Sequence, residues 1–151
     1  MEWLTRLYGT VVGLDTAPLI YLIEENSTYL PIVLPFFEAL DRDEFQVVTS
    51  TITLLEVLVH PLRKADTRLA QSYRDILLSA KGVTTVPITA DIASEAAKLR
   101  AAHDLTTPDA IQLATAARHG ASSFLTNDIS LPAVSGLSVI TLVSLITQEN
   151  G

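Results

Sequence analysis

The sequence predicts an α/β sandwich built on a parallel sheet, from three observations. Five short β-rich segments are separated by segments with helical patterning, and strands joined through helices pair in parallel. Those strand segments are nearly continuous in apolar residues, as expected of strands buried on both faces. The chain has 151 residues, 48% of them apolar and none of them cysteine. That length suits one domain, residues 1–151, burying ~70% of the surface its unfolded form exposes. The missing cysteine excludes disulfides and thiolate metal sites.

The elements run in order along the chain. TVVGLD (10–15) is a strand, and Thr16 and Pro18 open a helix through Glu25. A helix covers about 32–42, with its start blurred by Pro31 and Pro35. FQVVTS (45–50) is the second strand and ITLLEVLVHPL (52–62) the helix after it. ADTRLAQSYRDILLSAK (65–81) is another helix, stopped at Gly82. VTTVPI (83–88) is a strand, and Thr89 caps the helix 90–104. The next helix has Thr107 as N-cap, Pro108 in its first position and Gly120 beyond its end. SSFLT (122–126) and SVITLV (138–143) are the last two strands.

The N-terminus, MEWLTRLYGTVV, has no basic head followed by a long apolar run, so it is not a secretory signal. Residues 129–148 form an uncharged run of membrane-spanning length. Pro132, Gly136 and six Ser/Thr residues interrupt it, so it reads as a loop and a buried strand. A net charge of −7 argues against general polyanion binding but leaves room for a local basic patch.

In an open parallel sheet, ligands bind beyond the carboxyl ends of the strands. Asp15 ends the first strand and Asp128 follows the fourth. Asp109 stands in the first turn of the helix leading into the fourth strand. Glu56 lies one to two turns into the helix after the second. If strands one and four are neighbours, Asp15 and Asp128 converge, and Asp109 and Glu56 close on the same place. Each acid also has a local explanation. Asp109 favours a helix N-terminus, and Glu56 completes a T-x-x-E capping box with Thr53. Asp15 suits an N-cap, and Asp128 an Asx turn. Together, however, four carboxylates at one crevice repel one another, and a hard divalent cation relieves that cost. His60, His103 and His119 are read as helix-end or surface residues rather than ligands.

The three segments GLDTAPLIYLIE, STITLLEVLVHP and TPDAIQLATAARHGASSFLTND, in this order and spacing, resemble the PIN domain, and within it the VapC-type toxins of prokaryotic toxin–antitoxin pairs. The resemblance runs from residue 12 to about 143. It implies a three-layer α/β/α sandwich with strand order 3-2-1-4-5. It also implies a Mg²⁺- or Mn²⁺-dependent ribonuclease leaving 5′-phosphate and 3′-hydroxyl ends, a cognate antitoxin, and commonly a homodimer. Carried onto this chain, the family's acids are Asp15, Glu56, Asp109 and Asp128, and its polar positions are Thr16, Thr126 and Asn127. Asp15, Asp109 and Asp128 would hold the metal, and Glu56 would position a second ion or a water, or act as base. Where many relatives carry a basic residue and a further acid or aromatic, this chain has Ile129, Ser130 and Leu131.

RNA needs positive charge, and HPLRKADTRLAQSYR (60–74) supplies Arg63, Lys64, Arg68 and Arg74, with Arg118 further along. Lys64 and Arg68, one helical turn apart, are expected to share a face. TYLPIVLPFF (28–37) is expected to divide its apolar residues between the core and a docking surface for a second copy or an antitoxin. A receiver-type phosphoacceptor would want a lysine after the fifth strand, and a haloacid-dehalogenase-type phosphatase D-x-D-x-T at the first; neither is present. The remaining alternative is a catalytically silent PIN-like RNA-binding or interaction module. The absent export signal and the implied RNA substrate point to the cytoplasm.

Overall fold

The computed structural model describes residues 1–134 and 136–150, with side chains through residue 147. Ser135, inside the predicted loop, and Gly151, at the end of the predicted domain, lie outside the described residues. The strands are β1 (Val11–Leu14), β2 (Gln46–Ser50), β3 (Val83–Val86), β4 (Ser123–Thr126) and β5 (Ser138–Thr141). They form one parallel sheet in the order β3-β2-β1-β4-β5, as the resemblance implies. The helices are α1 (Glu2–Thr5), α2 (Thr16–Ile23), α3 (Leu30–Asp41), α4 (Thr51–Arg63), α5 (Thr67–Leu78), α6 (Ala90–Ala102), α7 (Thr107–Arg118) and α8 (Leu142–Asn150).

Successive strand side chains point to opposite faces, so each strand feeds two cores. Val12, Leu14, Val47 and Leu125 pack with Leu19, Phe36, Tyr73 and Leu142 on one side. Val48 and Phe124 pack with Ile92, Ala110 and Leu113 on the other. Helices α6 and α7 therefore cover one face, and α1, α2, α3, α5 and α8 contribute to the other. All four residues of β4 are buried, the pattern of a strand covered on both sides.

Gly13 faces α7. A Cβ there would stand 2.6 Å from Cβ of Ala116 and 2.8 Å from Cδ1 of Phe124. The missing side chain lets α7 lie close against β1. That contact matters because β1 leads into Asp15 and α7 starts with Asp109.

Several boundaries differ from the sequence expectation. The first strand is trimmed to 11–14 and the third ends at Val86, where Pro87 offers no ladder donor. Helix α3 begins at Leu30, with Pro31 in its first turn where an N–H is not required, and it runs on through Pro35. Of its apolar residues Phe36 and Phe37 are buried, Leu34 is exposed, and Tyr29 stacks on Tyr21 at 4.6 Å. The core and the surface thus share this segment.

Helix 65–81 contracts to 67–78. Ala65 takes φ +52°, and Asp66 caps the new helix by accepting from the Leu69 N–H at 3.0 Å. Lys64 ends α4 and Arg68 lies in α5, so the two do not share a helix face as expected.

Two helices are additions. The single turn α1 is held by tertiary contact: Trp3 is buried and stacks with Phe36 at 6.4 Å. Residues 142 and 143, predicted to end the fifth strand, instead open α8, which runs to Asn150. Its first turn is fixed from outside, because the Asn127 Oδ1 accepts from the Val143 N–H at 3.1 Å. Among the described residues no helix is long and apolar enough to cross a membrane.

Candidate active site

Strand β1 pairs with β4 in register, Leu14 opposite Leu125, and the Asp15 N–H donates to the Leu125 carbonyl at 3.0 Å. This places Asp15 beside Thr126. The Thr126 hydroxyl donates to Asp15 Oδ2 at 2.6 Å, and the Thr16 N–H donates to Oδ1 at 2.7 Å. Asp15 is also the N-cap of α2, so its local and crevice roles coincide. Thr126 Oγ1 in turn accepts from the Asp128 N–H at 3.0 Å. Asp128 Oδ1 accepts from the Ser130 N–H at 2.9 Å and the Ser130 hydroxyl at 2.6 Å, the expected Asx turn.

Glu56 reaches the same place along a different route. The Thr16 hydroxyl donates to Glu56 Oε1 at 2.8 Å. The expected capping box is not formed. Ser50 is the N-cap of α4 and accepts from the Ile52 N–H at 3.1 Å. Thr53 is buried and pairs with the Thr49 hydroxyl at 2.9 Å. A strand that runs straight into a helix puts the cap at the junction, three residues earlier than the motif suggests.

The N-cap of α7 is likewise Thr106, whose hydroxyl accepts from the Asp109 N–H at 3.3 Å. Thr107 is the first helical residue and Pro108 the second, so the predicted cap shifts by one. Asp109 remains in the first turn.

The electrostatics join the four acids. Burial pushes the Asp15 carboxyl above its usual 3.8; hydrogen bonds from Thr126 and Thr16 oppose this, and the negative charges of Glu56 and Asp128 add to it. Burial also raises Asp109; the Thr106 hydrogen bond opposes, and Asp15 and Asp128 push further up. None of the ion pairs among the described residues involves these acids. The crevice therefore holds several carboxylates in one field, with no cationic side chain paired to them among the described residues.

An oxygen-only, mutually repelling donor set fits a hard divalent cation. Among the described residues no three Asp, Glu, His or Cys side chains form a ready-made ligand cluster. A cation here would therefore be one that keeps much of its water and takes one or two carboxylates directly, the habit of Mg²⁺.

Other predicted residues fall elsewhere. Asn127 donates to the Tyr21 hydroxyl at 3.2 Å while accepting from α8, so it fastens the loop after β4 to two helices. Arg63, Lys64 and Arg68 are exposed, and none is in an ion pair among the described residues. Arg118 pairs with Asp91 at 3.4 Å. His60 and His119 are exposed and His103 is half-buried at the end of α6.

Gln112 is not among the residues that the sequence singles out. It is 3% exposed, and its Nε2 donates to Thr16 Oγ1 at 3.1 Å. Its place three residues after Asp109, hence on the same helix face, is the one available signal.

An acidic crevice at the carboxyl edge of a 3-2-1-4-5 parallel sheet defines a recognisable class of α/β protein. The chain belongs to the PIN domain family, whose model matches residues 12–137. Solved structures share the fold. A VapBC2 complex from Rickettsia felis bound to a promoter DNA fragment aligns at TM-score 0.67 and 19% identity, covering 87% of this chain and 98% of that one. A toxin–antitoxin complex from Klebsiella pneumoniae aligns at 0.64 and 27%, covering 89% and 98%. VapC20 of Mycobacterium tuberculosis, a sarcin–ricin loop cleaving toxin, aligns at 0.63 and 20%, covering 76% and 87%. The comparison with curated proteins returned no match.

Proposed function

We propose that this chain is a Mg²⁺- or Mn²⁺-dependent endoribonuclease, the toxin of a VapBC-type pair, hydrolysing RNA phosphodiester bonds at the acidic crevice. The observation that carries the reading is the shared field of Asp15, Glu56, Asp109 and Asp128, with no ion pair to any of them among the described residues.

Asp15, Asp109 and Asp128 would hold the cation, directly or through water. When bound, the cation supplies Lewis acidity toward a phosphoryl oxygen and a lowered pKa for a water. The chain's own groups do the rest. Thr126 and the Thr16 N–H fix both oxygens of Asp15, so its carboxylate presents one orientation. The Ser130 turn holds one oxygen of Asp128, Oδ1, through two donors. Thr16 holds Glu56 Oε1, leaving Oε2 to accept a proton from the attacking water.

The substrate needs a positive track. Arg63 lies seven residues after Glu56 on α4, two turns along the same face and ~10 Å further on. Arg63, with Lys64 and Arg68 at the following corner, is thus placed to hold RNA phosphates leading into the crevice. The solved VapBC and toxin–antitoxin complexes support a protein partner for this fold, here a cognate antitoxin covering the site, and a homodimer is the expected assembly. An RNA substrate puts the protein in the cytoplasm.

The second reading, a catalytically silent PIN-like module, is favoured by the lack of a ready-made ligand cluster among the described residues. One assay separates the two. RNA is incubated with the purified chain in Mg²⁺ or Mn²⁺ and in EDTA, beside Asp15→Asn. The nuclease gives metal-dependent products that the variant lacks. Equal cleavage by the variant and the parent would overturn the assignment. RNA affinity without any metal-dependent product would favour the silent module.

A further inference from the structure

Helix α7 buries Ala110, Ile111, Leu113, Ala114 and Ala116, which is ordinary core behaviour. Two polar residues are buried among them. Thr115 satisfies its hydroxyl locally, donating to the Ile111 carbonyl at 2.7 Å. Gln112 does not. Its amide N–H reaches Thr16, 96 residues away, and its carbonyl oxygen is buried without a hydrogen-bond partner. An unpaired buried carbonyl is costly, and an apolar residue of the same size would serve packing better. Packing alone therefore does not explain a glutamine here.

The hydrogen bonds suggest what it does. A threonine hydroxyl has one proton and two acceptor sites. With the Gln112 amide donating into Thr16 Oγ1 at 3.1 Å, the hydroxyl proton is directed to its other partner, Glu56 Oε1, at 2.8 Å. The chain Gln112–Thr16–Glu56 thus joins α7, α2 and α4 and runs in one donor direction.

Building on the nuclease reading above, we propose that Gln112 is a positioning residue: it orients the Thr16 hydroxyl, which holds the Glu56 carboxylate in its working place at the crevice. Gln112 touches neither the RNA nor the cation in this account and acts through Thr16. Removing its donor frees the hydroxyl to rotate, and Glu56 loses its anchor while Asp15, Asp109 and Asp128 keep theirs.

The test compares Gln112→Met, which keeps length and loses the donor, with Thr16→Val and the double variant, using Asp15→Asn as reference. The expected result for Gln112→Met is a kcat about 10-fold lower, within the range for outer partners of a metal site, with KM within about twofold. Thr16→Val lowers kcat at least as far, and the double variant is no worse than Thr16→Val alone, because both changes cut the same chain. Thr16→Ser, which keeps the hydroxyl, restores near-parental kcat. Tm of Gln112→Met does not fall, since the unpaired carbonyl is gone with the donor. A crystal structure of metal-free Gln112→Met shows Glu56 Oε1 beyond hydrogen-bonding distance of Thr16 Oγ1.

Two results would overturn the proposal: an unchanged Thr16–Glu56 bond in that crystal structure, or full kcat in Gln112→Met while Asp15→Asn is inactive. Cleavage that survives Asp15→Asn instead removes the nuclease reading, and the crystal structure still decides whether Gln112 places Glu56.

Discussion

The acidic crevice and the outer surface of this protein treat negative charge in opposite ways. On the surface, Asp43 meets Lys81 at 2.6 Å, Asp91 meets Arg118 at 3.4 Å, and Glu95 meets Lys98 at 3.3 Å. At the crevice, Asp15 and Asp109 are raised by burial and by acidic neighbours, and the Asp15 carboxylate accepts from the neutral Thr16 N–H and Thr126 hydroxyl. Solvated pairs cost little and contribute little. Like charges gathered in a partly buried crevice cost stability, which is what singles this place out as the candidate site.

That contrast can be broken experimentally, and the largest effect should come from Asp15. Asp15→Asn is expected to lower cleavage by more than ~100-fold, beyond the usual loss for outer partners, while circular dichroism reports an intact fold. Next comes Gly13→Ala. The added Cβ meets Ala116 and Phe124, so α7 is pushed from β1. Overpacking of this kind costs about 1–3 kcal/mol, read as a lower denaturant midpoint, and it carries Asp109 away from Asp15. Cleavage should fall further than stability alone requires.

Changing Arg63, Lys64 and Arg68 together to Ala should raise KM several-fold, on the order of 10-fold, and flatten the salt dependence of cleavage. The kcat should stay near the parent value, because these side chains lie away from the acids.

A smaller effect tests the cost of the crevice directly. Asp109 has a folded pKa raised above 3.8, so its contribution to stability is full below that value and is lost as pH rises through the folded pKa. Asp109→Asn has no such loss. In EDTA its Tm should exceed the parent's at pH 7, and the difference should vanish below about pH 3.8. The reverse order at neutral pH would show that the crevice carboxylates are not in conflict. The smallest effect belongs to the surface: Arg118→Ala, which removes the Asp91 pair, should leave Tm unchanged in high salt.

Much of the fold was legible because its signals are local. Strand segments buried on both faces are continuous apolar runs, and the caps at Thr89 and Gly120 announce helix limits. Asp15 and Asp128 stood out as candidates because the carboxyl ends of parallel strands mark a crevice, and Asp109 because it opens a helix. The misses share a cause. The first turn of helix α8 is held by Asn127, sixteen residues before Val143, which no local pattern announces. The break between α4 and α5 rests on one left-handed residue, Ala65, which nothing in its identity announces. The Thr53–Glu56 capping box was a false match: Ser50 at the strand end caps α4, and Glu56 turns to Thr16 instead.

The sequence by itself determined the α/β class, the strand segments and the supply of acids, because periodicity and residue chemistry are properties of short stretches. Only the tertiary structure decided how those acids relate. The β1–β4 pairing sets Asp15 against Thr126, the bare backbone at Gly13 draws α7 inward, and Gln112 reaches Thr16 from 96 residues away. Such contacts depend on which surfaces the chain brings together, and no local pattern records that choice.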